Sequence, residues 1–88
     1  MLVNMQMIRG TVETASSAAA HGNHAAAITA TDTAFDVLST AFRQAPAGSA
    51  TRGAFGNALA DVRRAVVVIP NHLEKAEASL LGALRHLE

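Results

Sequence analysis

The chain of 88 residues contains no cysteine, no tryptophan and no tyrosine, and its only aromatic residues are Phe35, Phe42 and Phe55. Without cysteine, disulfides and thiolate metal sites are excluded and the redox compartment stays open. Proline is limited to Pro46 and Pro70, so helix breakers are few. Charge is scarce and balanced, with seven basic and seven acidic side chains and a net charge of zero. That balance provides no basic stripe for nucleic acid or for an anionic membrane surface. No uninterrupted apolar run approaches the roughly 20 residues that span a bilayer. The opening "MLVNMQMIRG" has no positive region ahead of a long apolar block, so a Sec signal is not expected.

What is present is apolar and small. Half of the residues are apolar, and many of these are alanines that bury little area each. One domain is expected, near the lower limit for a self-sufficient core. A lone chain of this kind is marginal, and a partner chain is expected to complete it.

The second half carries the clearest periodicity. Phe55, Leu59, Val62, Val66, Ile69, Leu73, Ala76, Leu80, Leu84 and Leu87 follow one another at spacings of three or four, an apolar helical stripe. Asp61, Arg63, Arg64, Glu74, Lys75, Glu77 and Arg85 lie between them as a solvated face. Pro70 interrupts the stripe at a cost of about 3 kcal/mol inside a helix. The stripe keeps its phase beyond it, which predicts a kink; a break at Ile69 with Asn71 capping a separate last helix is the alternative. In the first half Met5, Ile8, Val12 and Ala15 form one stripe, and Ala25, Ile28, Phe35, Leu38 and Phe42 another.

"APAGSAT", residues 45 to 51, is the one clear loop, with Ser49 or Thr51 placed to cap the next helix. The expected fold is therefore all-α: helix one over about 4–45, a turn at 46–50, and helix two over about 51–86. Such an antiparallel hairpin leaves an apolar outer face, and pairing two hairpins as a homodimer or heterodimer would complete a four-helix bundle. The expected interface is Phe35, Leu38, Phe42, Phe55, Leu59, Val62, Val66, Ile69, Leu73, Leu80 and Leu84. In the hairpin register Asp32 falls opposite Arg64, and Glu13 opposite Arg85.

The stretch "AAAHGNHAAA", residues 18 to 27, interrupts an alanine run with His21, Gly22, Asn23 and His24. Read as helix, it places His21 and His24 on one face, with His72 opposite His24. Three imidazoles in that arrangement would suit zinc, which makes a small metal- or ligand-binding bundle the alternative reading. Read as a turn, Gly22 and Asn23 would supply positive φ and split helix one. The continuous helix is the reading adopted, since one glycine costs only about 1 kcal/mol there. No nucleophile–base pattern, phosphate-binding loop or paired carboxylate is present, so neither enzyme activity nor a cofactor is expected.

Phe55 stands near the start of helix two and is followed by "NALADV", residues 57 to 62; later comes "LEKAE", residues 73 to 77. With the hairpin layout and the Arg-over-Lys composition, this pattern resembles the WXG-like superfamily of type VII (ESX) secretion, and within it the EspC-like proteins of actinobacteria. The resemblance spans nearly the whole chain in layout. Leu73 and Glu77 fall at the positions of that family's export element, Tyr-x-x-x-Asp/Glu, with leucine in place of the tyrosine. The family's Trp-x-Gly turn has no counterpart here. The resemblance implies a non-enzymatic interaction protein, acting as a dimer with a similar hairpin and secreted or cell-envelope-located by a signal-less route. A cytoplasmic adaptor or regulator is the alternative.

Overall fold

Three short polar side chains begin three of the four α-helices that the computed structural model shows among residues 4–87, the residues it describes. The helices are α1 (Met5–Ala20), α2 (His24–Gln44), α3 (Ala50–Val68) and α4 (Leu73–His86), with no strand among the described residues. Asn4 Oδ1 accepts from the Met7 N–H at 2.8 Å, Asn23 Oδ1 from Ala26 at 3.1 Å, and Ser49 Oγ from Arg52 at 3.1 Å. Each satisfies a backbone donor that the first helical turn leaves without a partner.

The long helix expected over 4–45 is two helices. The Gly22 N–H donates to Ala19 O and the Asn23 N–H to Ala18 O, both at 3.1 Å, while Gly22 takes φ 73°. This pair of bonds is a Schellman motif, which a residue at positive φ permits. Asn23 therefore closes α1 through its backbone and opens α2 through its side chain. Gly22 alone would be a small defect in a helix; paired with Asn23 it becomes a stop followed at once by a start.

Pro70 also breaks rather than kinks. The helical pattern reaches Ile69, whose N–H donates to Ala65 O at 3.0 Å, and Pro70 then has no N–H to offer. Both Asn71 and His72 turn their N–H groups to Val68 O, at 3.1 and 2.7 Å. The break falls where the alternative reading put it, but His72 rather than Asn71 precedes α4, and its side chain makes no capping bond. Between α2 and α3 the Ser49 N–H and Oγ both donate to Pro46 O, with Gly48 at φ 79°. Arg52 ties the two helix ends together by donating to Ala45 O at 3.4 Å.

Short connections make consecutive helices antiparallel, and α1 packs against α4 as well as α2, so the four close into a ring. The resulting bundle measures 36 × 21 × 19 Å. Turns 21–23 and 69–72 share one end; the turn at 45–49 lies at the other. One chain thus builds the four-helix arrangement that the sequence suggested would take two.

The buried positions follow a strict rhythm. Ile8, Val12, Ala15 and Ala19 line α1; Ala27, Thr31, Ala34, Leu38, Ala41 and Ala45 line α2 and its end. Phe55, Ala58, Val62, Ala65 and Ile69 continue along α3, then Ala76, Leu80, Ala83 and Leu87 along α4. Spacings of three and four alternate within every helix, the seam of a left-handed bundle. On α3 the stripe selected by hydrophobicity included Leu59 and Val66, yet the innermost positions are Ala58 and Ala65, one residue earlier. At these two positions the inner line takes a methyl group, and the larger neighbour stands to its side.

Three polar residues, Ser16, Thr31 and Asp61, are also buried among the described residues, and of these Thr31 is fully buried with no hydrogen-bond partner for its Oγ1. An unpaired buried hydroxyl costs about 1–3 kcal/mol. Thr31→Val keeps the shape and removes that cost, so it should raise unfolding free energy by about 1 kcal/mol in urea titration. Gly22→Ala, which puts a Cβ at positive φ, should lower it by about 1 kcal/mol in the same assay.

Candidate protein-interaction surface

The histidines do not converge. His21, His24, His72 and His86 are all exposed, and among the described residues no three histidine, cysteine or acidic side chains are grouped to hold a metal ion. His21 Nδ1 lies 2.7 Å from Ser17 O in its own helix, and His72 Nδ1 lies 3.6 Å from Glu74 Oε1. The break at Gly22 removes the continuous helix that would have aligned His21 with His24. The expected set of His21, His24 and His72 therefore shares one end of the bundle without forming a site.

His86 instead meets Asp61. The Asp61 carboxylate, nearly buried between α3 and α4, lies 3.1 Å from Arg64 Nη1 and 3.3 Å from His86 Nε2. Gly82 makes this possible, since a Cβ there would stand 3.3 Å from Asp61 Oδ2. The expected pairs Asp32–Arg64 and Glu13–Arg85 are not among the ion pairs of the described residues; Arg64 turns to Asp61 one helical turn away. The cluster pins the end of α4 to α3.

The residues expected at a subunit interface divide into two groups. Leu38, Phe55, Val62, Ile69 and Leu80 are buried within the single chain, and Phe35, Phe42, Leu59, Leu73 and Leu84 are half-buried against that core. Leu73 and Glu77, the positions resembling an export element, sit one turn apart on α4 and are both half-buried. Val66 remains exposed at 37%, next to Val67 at 72%.

Those two valines belong to one face, of which the periodicity had singled out Val66 but not Val67. Ile28, Phe35 and Phe42 each follow a buried alanine of α2; Leu59 and Val66 each follow one of α3. One residue past the inner line, all five point along the same side of the bundle, where α2 and α3 meet. An open groove of about 500 Å³ there is lined by Phe35, Leu59, Arg63, Val67 and their neighbours. Phe42 is covered at one end of the groove, where the Arg52 guanidinium stacks 4.4 Å from its ring centroid. Ile28, at 44% exposure, Val66 and Val67 have no such cover, and they are three of the six large apolar side chains exposed among the described residues. A concentrated apolar strip on a small protein is chemically suited to burial against another surface.

Compared with known proteins, the chain matches no family model, no curated protein and no solved structure.

Two measurements check this geometry. A zinc site occupied at 100 times its Kd would add about 2.7 kcal/mol to stability; with no converging ligands, Zn²⁺ should leave the thermal midpoint unchanged. Gly53 has open space around its Cβ position whereas Gly82 faces Asp61. Gly53→Ala should therefore gain about 0.5–1 kcal/mol from helix propensity, and Gly82→Ala clearly less, by urea denaturation.

Proposed function

We propose that this protein is a non-enzymatic protein-binding module whose contact surface is the α2–α3 face. The observation that carries the reading is the exposure of Ile28, Val66 and Val67 on the side of the bundle where Phe35, Leu59 and Val67 line an open groove. Burial of such a strip is worth about 25 cal/mol per Å² before the costs of association. Its side chains are aliphatic or aromatic, with single charges beside them, which suits recognition of an apolar surface rather than bond-making chemistry.

The closed bundle changes what a partner is for. Leu38, Val62 and Leu80 already fill the chain's own core, so the partner is not required to finish the fold. It docks on an outer face, and the protein can exist folded both free and bound. The resemblance to type VII secretion proteins is compatible with this role, and a secreted or cell-envelope setting belongs to the proposal on that resemblance alone.

Site-specific photo-cross-linking tests the surface even while the partner is unidentified. A benzophenone amino acid at position 67 should give light-dependent cross-linked products in producing cells, and one at position 85, on the far helix, should not. Equal products at both positions, or none at 67, would overturn the reading. Because Val67 is so exposed, Val67→Glu should change stability by no more than about 0.5 kcal/mol while abolishing the cross-linked product formed through position 63.

A further inference from the structure

Resting on that reading, we infer that the occupant of the α2–α3 face is a second copy of this chain, related by a two-fold axis parallel to the bundle. The distribution of charge around the apolar strip points to this occupant. Asp32 follows buried Thr31 and Arg63 follows buried Val62, so both charges stand within the strip, with Asp36 at its outer edge on α2. All three are exposed, and none forms an ion pair among the described residues. α2 therefore presents Asp32 and Asp36 on either side of Phe35, with the exposed Arg43 one heptad beyond Asp36, and α3 presents Arg63.

The register of the two helices fixes how two such faces fit. Phe42 lies against Gly56, so one heptad further along Phe35 stands level with Arg63, and both line the same groove. Asp32 and Asp36 bracket that level on α2. A two-fold axis running along the bundle sets α2 of one copy over α3 of the other at equal heights. Arg63 of each copy then stands opposite Asp32 of the other, with Asp36 at the rim, giving two symmetric charge contacts within the strip. An axis perpendicular to the helices would instead stack α2 on α2 and bring the aspartates of the two copies together. Like charges across an interface are unfavourable, so only the first arrangement is complementary.

The contact is isologous, which lets it close as a dimer and not propagate into a filament.

Charge reversal in sedimentation equilibrium tests the proposal. Wild-type protein should show a monomer–dimer equilibrium. Asp32→Arg and Arg63→Asp should each weaken dimerisation by about tenfold or more. Mixing the two single variants should restore it, because the mixed dimer pairs opposite charges at both contacts. The double variant D32R/R63D should restore it too, and circular dichroism confirms that each variant is folded. Wild-type protein that stays monomeric up to about 1 mM, far above the range of specific complexes, would overturn the second-copy proposal. A wild-type dimer indifferent to charge reversal, or variants that do not complement on mixing, would overturn it as well. Cross-linking at position 67 to a different protein, together with a monomeric wild type, would leave the binding-module reading standing and remove only this inference.

Discussion

The structure depends on close approach of four helices along a line of small side chains. Every helix contributes alanines to its innermost positions: Ala15 and Ala19, Ala27 and Ala34, Ala58 and Ala65, Ala76 and Ala83. A methyl group lets neighbouring backbones come near, and between the alanines Ile8, Leu38, Val62 and Leu80 fill the space that remains. In a chain this short, that economy is what allows a single copy to enclose a core. Helices lined throughout by leucine would be held further apart, and the ring of four would enclose voids unless the side chains repacked.

Closing the ring requires two tight turns at one end, and the chain makes them by different means. At Gly22 the stop is a positive-φ residue, and the next residue, Asn23, starts α2 without any spacer. At Pro70 the stop is the loss of a donor, and α4 restarts after His72 without a side-chain cap. The first turn is defined by specific hydrogen bonds and the second chiefly by what proline forbids. Arg52 reinforces the opposite end, holding the Ala45 carbonyl while its guanidinium lies on Phe42.

The same closure determines which surface is left to interact. Because large side chains are displaced to the flanks of the alanine lines, some of them reach solvent, and on the α2–α3 side they adjoin one another. Ile28, Phe35, Leu59 and Val66 are thus products of the packing rule that builds the core. On the α3–α4 side the flanking position is Asp61, answered by His86 and Arg64 across a glycine, so that groove is closed by charge. The two sides of α3 consequently differ in chemistry, one internally satisfied and one open.

The sequence alone determined the helical class, the loop around Pro46 with Ser49 or Thr51 to cap the next helix, and the seven-residue rhythm through Phe55, Val62, Ile69 and Ala76. These are local properties, set by side-chain spacing and by backbone donors that proline lacks or serine satisfies. It also contained both further breaks, since Gly22–Asn23 and Pro70 were visible as defects. Their outcome was not legible, because a glycine or a proline permits either a continued helix or a fold-back, and the backbone hydrogen bonds that distinguish them are not written in side-chain spacing. Only the tertiary structure decided that the chain folds back at both places, and with that it turned Leu38, Val62 and Leu80 from expected subunit contacts into a private core. It likewise chose Ala58 over Leu59 and Ala65 over Val66 for the inner line. Hydrophobicity ranks the larger residue first in each pair, whereas at these two positions the alanine faces the bundle axis and the larger residue stands at its side.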